Sequence, residues 1–376
     1  MAKPKLLIVG AFPPDDSPII GGIVTTCRIL INSDFPNHFD LVLIDSTQKS
    51  NPPPRFIIRL ISAMERTIRY IFALAIRRPN GVILFTASGS SLLEKGVMAW
   101  LARLTCKRVF LFPRGGSLIH DLRFKNWKKK WIELLMKGAT DILCQGPAWQ
   151  NLVINNLGYS EANAPIIYNW SATSNLLTLG ADREQNASQL ELNILFLGWL
   201  EEEKGIFDLL EACRRLNAKY TFRLIVVGKG SAEKKAIEFV LANNMGPYVK
   251  FEGWAHNEKK INYLKISDIL VLPSWTEGFP NAIIEAMASK LAVVVSAVGN
   301  VPDIIEHREQ AMVVPPTDCD ALVLALEELL VDPVFRFDIA NRGYEFAKEK
   351  FSSEKGIASL TNIINCAIGS NLGSKP

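Results

Sequence analysis

Short runs rich in Val, Ile, Leu and Phe punctuate this chain, and they constrain its fold more than any other feature. They fall at 6–9, 41–44, 82–85, 109–112 and 141–144, and again at 193–197, 223–227, 269–272 and 292–295. A strand with one face in water alternates apolar and polar residues, whereas a strand covered on both faces is apolar throughout, as in a parallel sheet. Parallel strands need long crossovers, and the stretches between the runs have the length and periodicity of helices. The pattern occurs twice, so it predicts an α/β protein of two Rossmann-like, doubly wound domains. With 376 residues the chain has the length for two. The predicted domains are 1–175 and 190–351. The break falls in the stretch 171–190, which is rich in Ser, Thr, Asn and Gln. A final helix is predicted from 352, with Ile357, Leu360, Ile363, Ile364 and Ile368 along one side.

Charge divides the chain as well. Residues 1–170 carry 21 Lys and Arg against 11 Asp and Glu, and the remainder carries 21 against 27. The basic half suits a phosphate-bearing acceptor, an anionic membrane or a nucleic acid. The six cysteines form no Cys-x-x-Cys pair, and none of the four histidines has a partner at metal-ligand spacing. The apolar run after Lys5 is too short for a signal-peptide core, and no run of ~18 apolar residues occurs, so a cytoplasmic protein is expected. No Gly-x-Gly-x-x-Gly fingerprint is present, which disfavours a dehydrogenase.

The densest chemical signal lies between Leu270 and Glu285. A buried strand ends at Leu272, a loop carries Pro273, Ser274, Glu277 and Gly278, and a helix is predicted to begin near Pro280. Backbone N–H groups at Gly278, Phe279, Asn281 and Ala282 then point out of the helix start, where the positive end of its dipole favours a diphosphate. Glu277 sits beside that seat. Glu285, eight residues on, lies about a turn and a half into the helix and is predicted to face the same cleft, where a carboxylate can accept from the adjacent hydroxyls of a ribose. The alternative is an ordinary helix start with an acidic residue beside its dipole.

This segment, Pro-Ser-x-x-Glu-Gly-Phe-Pro followed by Glu-Ala-Met-Ala, resembles the signature of the large retaining glycosyltransferase family 4, whose fold is GT-B. The resemblance implies two Rossmann-like domains facing across a cleft, with the final helix 352–376 crossing back onto the first. It implies transfer of a hexose-type sugar from a nucleoside diphosphate to an acceptor hydroxyl with retention. Glu277 would contact the donor sugar and Glu285 the ribose. The segment 193–205 resembles the family's Gly-Arg-x-x-x-x-Lys-Gly, which implies that Gly198 and Lys204 meet the donor and that Lys204 neutralises the leaving diphosphate. Trp199 stands where an arginine is common. Gly228, in Gly-x-Gly after the strand near 222–227, would line the base pocket; a tight turn is the alternative. Asn300 stands where a second glycine is usual. In the first domain, Gly22 and Arg114 imply donor contacts from loops after strands, and His120 is a further cleft candidate with a structural alternative. The donor-binding set is thus Gly22, Gly198, Lys204, Gly228, Glu277, Gly278, Phe279, Pro280, Asn281 and Glu285, with Glu277, Lys204 and Arg114 catalytic. No metal and no cofactor beyond the nucleotide-sugar is expected, because cationic groups and helix dipoles take the metal's place.

Two basic stretches bear on the acceptor. At 100° per residue, Arg55, Arg59, Arg66, Arg69 and Arg77 share one side of a helix, opposite Ile57, Leu60, Ile61, Met64, Ile68, Ile71 and Ala75. That is either a core-packed helix with a solvated basic face or an interfacial helix on anionic lipid. The second stretch, 123–137, interleaves Trp and Lys, as at a membrane interface. Together they imply a lipid-linked or saccharide acceptor in cell-surface polysaccharide or glycolipid assembly. Peripheral contact with the inner face of the cell membrane is expected, and nucleic acid is not. The competing readings are an epimerase or hydrolase on the same fold, and a non-catalytic nucleotide-sugar-binding protein, which Trp199 keeps in play.

Overall fold

The computed structural model describes residues 3–14, 21–48, 54–105, 107–116, 118, 121–122, 127–184 and 191–372. The chain divides into two compact units, one formed by residues 1–170 with 353–376 and the other by residues 171–352.

The first unit holds a parallel sheet of β1 (Lys5–Gly10), β2 (Asp40–Asp45), β3 (Gly81–Thr86), β4 (Arg108–Pro113) and β5 (Asp141–Ile142), in the order β2-β1-β3-β4-β5. Successive side chains on a strand face opposite ways, so each apolar run supplies two cores. Leu7, Val9, Val82, Leu84, Val109 and Leu111 share one core. Leu6, Ile8, Ile83, Phe85, Phe110 and Phe112 share the other. The final helix, Ser353–Leu372, closes the second of these cores with Ile357, Leu360, Ile364 and Ile368 beside Trp170. The 3.6-residue period of those four positions is what lets one helix cover the sheet.

The second unit holds β6 (Leu192–Leu197), β7 (Phe222–Val227), β8 (Val249–Gly253), β9 (Ile269–Leu272), β10 (Ala292–Ser296) and β11 (Met312–Val314). All are parallel, in the order β11-β10-β9-β6-β7-β8. Chain order runs outward in both directions from the β6/β9 pair. The crossovers on its two sides therefore leave in opposite directions and open a crevice at the strands' carboxyl ends, the usual ligand position in such sheets.

The boundary differs from the sequence expectation. Residues 174–181 form a helix that belongs to the second unit. Gly180 packs so closely that a Cβ there would lie 2.3 Å from the Ala288 carbonyl oxygen. Arg183 ties the segment down by donating to the carbonyls of Ser289 and Ser267, each at 2.8 Å. A helix this short gains its stability from such packing rather than from its polar sequence. Among the described residues no helix is long and apolar enough to cross a membrane.

Ile364 is fully buried in the final helix. Ile364→Ala should lower the stability of the first unit by about 2–5 kcal/mol, measured by urea unfolding; a loss under half a kcal/mol would mean that the helix does not hold this core.

Candidate functional site

The β6/β9 crevice collects most of the residues singled out in the second half. Gly198 and Gly228 follow β6 and β7. A Cβ on Gly228 would lie 1.8 Å from the Gly198 carbonyl oxygen, so that glycine is required by the packing of one strand end on the next. The Gly198 N–H donates to the Val227 carbonyl at 3.1 Å. Gly198 itself has room, with Leu272 3.8 Å from a Cβ placed there. Protein packing explains Gly228 and leaves Gly198 open to a close approach by something else.

After Gly198 the chain makes a 3-10 turn, Glu202–Lys204. Gly205, at φ 70°, ends it against β9's loop; a Cβ there would meet the Pro273 carbonyl oxygen at 2.1 Å. Trp275 N–H reaches back to the Glu203 carbonyl at 2.8 Å. These contacts fix Lys204 over the 274–277 loop. Its Nζ donates to Glu277 Oε1 at 2.7 Å, and Ser274 Oγ donates to the same oxygen at 3.2 Å. Both partners of the pair are largely buried, with 18% and 16% of their side chains exposed. The structure thus brings the two sequence-nominated catalytic residues of this unit into direct contact.

The loop then turns into the helix Asn281–Ala288, one residue later than expected, with Pro280 as its N-cap. No side chain from that cap bonds to the helix start, and its first turn holds no acidic residue. An uncapped start carries the donors and dipole that attract an anion. Phe279 is turned into the core, its ring 5.2 Å from that of Phe351, and Asn281 Oδ1 accepts from Ser171 Oγ at 3.3 Å. Gly278 accepts through its carbonyl from the Asn300 N–H at 2.8 Å. Gly299, at φ 61°, would place a Cβ 2.1 Å from the Glu277 carbonyl oxygen, so the 297–301 loop is pressed directly against the 277–278 backbone. The Asn300 side chain is fully buried, and among the described residues neither Nδ2 nor Oδ1 has a partner. A buried carboxamide left unpaired costs about 1–3 kcal/mol, which a bound polar group would recover.

Glu285 is 4% exposed, and its Oε1 accepts from Lys260 Nζ at 2.6 Å. Lys260 lies on the helix Asn257–Ile266 and was missed by sequence reasoning. A signal existed: a lone carboxylate among Ala, Ile and Met on a buried helix needs a cation from somewhere. Trp199, in the arginine's place, packs edge-on against Trp254 after β8, with ring centroids 4.6 Å apart and planes at 87°. An aromatic pair therefore stands where a cation was the family expectation.

In the first unit, Arg114 follows β4 and Gly22 begins the helix Gly22–Ile31. Arg114 Nη2 donates to Thr26 Oγ1 on that helix at 2.7 Å, and the guanidinium stands 5.0 Å from the Phe112 ring. Its Nη1 is buried and has no partner among the described residues. Burial pushes the Arg114 pKa down to about 10, which leaves it charged at neutral pH. A guanidinium held by a hydroxyl and a ring, with one nitrogen unpaired, is prepared for an anion. His120 and residues 123–126 of the second basic stretch lie outside the described residues.

Among the described residues no three His, Cys, Asp or Glu side chains are grouped to hold a metal ion. Asp318-Cys319-Asp320 has the spacing of an Asp-x-Asp motif, but Asp318 caps a helix by accepting from the Ala321 N–H at 2.9 Å, and Asp320 pairs with Arg215 at 2.6 Å.

Residues 181–346 match the model of the family described as glycosyl transferases group 1. An uncharacterized glycosyltransferase of Methanocaldococcus jannaschii is 27% identical over 215 residues, 55% of each chain. The amylovoran biosynthesis glycosyltransferase AmsK of Erwinia amylovora is 34% identical over 152 residues, 39% of this chain and 37% of that one. The matched stretch thus spans between about a third and a half of these relatives. Among solved structures, a sucrose-phosphate synthase from Thermosynechococcus elongatus superposes with a TM-score of 0.76 at 17% identity, covering 98% of this chain and 100% of that one. HepE of Anabaena, in complex with UDP and glucose, gives 0.71 at 14% identity, covering 96% and 99%. These likenesses extend over both units and establish the GT-B fold.

Lys260→Ala leaves the Glu285 carboxylate buried without its cation. The expected cost is about 3–5 kcal/mol by chemical denaturation, with most of it restored in Lys260→Ala/Glu285→Gln. Equal losses in the single and double variants would show that the two side chains are not coupled.

Proposed function

We propose, from a second unit that belongs to the group 1 glycosyl transferases, that this chain is a glycosyltransferase moving a hexose-type sugar from a nucleoside diphosphate to an acceptor hydroxyl with retention at the anomeric carbon. The observation that carries the reading is the Lys204–Glu277 pair beside an uncapped helix start, at the carboxyl ends of β6 and β9. A diphosphate seated on that helix start competes with Glu277 for Lys204. Charge then accumulates on the leaving phosphate oxygen as the sugar–oxygen bond breaks. Lys204 and the first-turn amides are positioned to stabilise it, the role that metals fill elsewhere. Glu277, released from the lysine, accepts hydroxyl hydrogens of the sugar and balances positive charge near the anomeric carbon. Glu285 serves the ribose, its carboxylate paired with Lys260. Asn300 has unmet hydrogen-bonding capacity beside the same loop, and in the first unit, taken by itself, Arg114 offers an anion one guanidinium nitrogen with no partner among the described residues.

Relatives named for amylovoran, teichuronic acid and colanic acid biosynthesis support a place in cell-surface polysaccharide or glycolipid assembly. A lipid-linked or saccharide acceptor follows, met on the inner face of the membrane. HepE has been solved in complex with UDP-glucose, which makes uridine nucleotides the first donors to try here. Trp199 favours one competing reading, a binding protein without turnover, because its ring cannot supply an arginine's charge.

Calorimetry with UDP, and turnover with its sugars, separate these readings. UDP at ~100 times its dissociation constant should stabilise the protein by about 2.7 kcal/mol. Binding without nucleoside diphosphate release in the presence of any acceptor favours the binding protein. Release without an acceptor at the full rate favours a hydrolase. For the transferase, Lys204→Met should lower kcat by about 10²–10³-fold, and a chelator should leave the rate unchanged. An unaltered kcat in Lys204→Met would remove the lysine from the chemistry.

A further inference from the structure

The helix Phe56–Phe72 leaves its apolar side uncovered, and Arg59 and Arg69 are exposed as well. Ser62, Tyr70 and, just beyond it, Leu74 are buried, and Tyr70 Oη donates to the Met98 carbonyl at 2.9 Å. Arg66 also faces inward. It makes a bidentate pair with Glu94 on the helix Ser90–Leu104, at 2.7 and 3.0 Å. The apolar side looks outward: Ile57, Ile61, Ile68 and Phe72 are 69%, 60%, 54% and 60% exposed. The neighbouring helix continues this surface with Leu93, Val97 and Leu104, and Trp131 on the helix Trp127–Met136 is exposed too. Exposed apolar surface on this scale marks an interaction site.

Between the first two helices lies a groove of about 510 Å³, within the roughly 300–1,000 Å³ of small-molecule sites. Leu60, Met64, Ile68 and Leu93 form its apolar walls. Its charged lining is Arg59, Arg66, Lys95 and a single acid, Glu94. Lys95 is 3% exposed and shares Glu94 with Arg66, its Nζ 3.0 Å from Oε2. Asp45, the other carboxylate acting on Lys95, is occupied by the Phe12 N–H and by Thr47. Arg59 donates to the neutral Ser90 Oγ at 2.6 Å. Three cations face one carboxylate in a groove whose outer walls are hydrocarbon. That combination fits an amphiphilic anion. Arg55, Arg77 and Arg78 flank this helix in sequence and Lys128 and Lys130 lie on the helix of Trp131; all are exposed, which complements an anionic bilayer.

We propose that the Phe56–Phe72 and Ser90–Leu104 helices rest in an anionic membrane surface and that the groove between them seats the phosphate of a membrane lipid. The inference rests on the proposed transfer to a lipid-linked acceptor and names its carrier as a lipid phosphate. Arg59 is the cation nearest to free for that phosphate, and the apolar walls take the start of its chain.

Co-sedimentation of the whole chain with phosphatidylcholine vesicles, with and without phosphatidylglycerol, tests this at low salt. The wild type should bind the anionic vesicles, and Ile61→Asp/Ile68→Asp should bind about tenfold more weakly. Arg59→Gln should lose much of the preference for phosphatidylglycerol over phosphatidylcholine. The substituted side chains are exposed, so both variants should keep the wild-type melting temperature and the wild-type shift with UDP. That shift separates the two readings: a normal UDP response without vesicle binding overturns this inference alone. Equal binding by the aspartate variant also overturns it, as does a wild-type dimer that the aspartates dissociate, which would assign the apolar face to a second copy.

Discussion

Parallel strands buried on both faces can be joined only by crossovers, and every feature of this molecule follows from where those crossovers diverge. β6 lies between β7 and β9, and the chain leaves it toward one neighbour first and reaches the other later. The loops that follow β6 and β9 are therefore not linked to each other along the chain, yet they end side by side. Their backbones are then locked together by close approaches that only glycine permits, Gly205 on Pro273 and Gly299 on Glu277. A lysine from one loop and a glutamate from the other meet because of the sheet's topology.

The resulting site is self-satisfied where it is charged and under-satisfied where it is neutral. Lys204 neutralises Glu277, and Lys260 neutralises Glu285, so neither carboxylate is buried alone. The Asn300 carboxamide, by contrast, has no partner, and the helix start has no side-chain cap. In the proposed reading an incoming diphosphate would exchange one ion pair for another at Lys204 and gain the helix start. The first unit repeats the theme with Arg114, a half-buried cation for which no carboxylate partner is found among the described residues.

The fold was legible because unbroken apolar runs have one reading when they alternate with helices. The short strand β11 escaped, since three residues carry too little pattern. The helix at 174–181 escaped because its stability comes from packing on residues a hundred positions away. In the site, Glu277 and Lys204 were readable from local motifs, but Glu285 and Lys260 were not readable as a pair, because nothing local links them. Which face of the Phe56–Phe72 helix lies inside was left open for a related reason. Periodicity gives two faces without saying which is inside, and here Glu94 decides by drawing Arg66 inward. The outward apolar face is the surface on which the proposed contact with an anionic membrane rests.

Diffraction from crystals grown with UDP locates the diphosphate. It is expected at the start of the Asn281–Ala288 helix, with Lys204 Nζ on a phosphate oxygen and drawn away from Glu277. A diphosphate bound elsewhere, with the 2.7 Å Lys204–Glu277 contact intact, would contradict it.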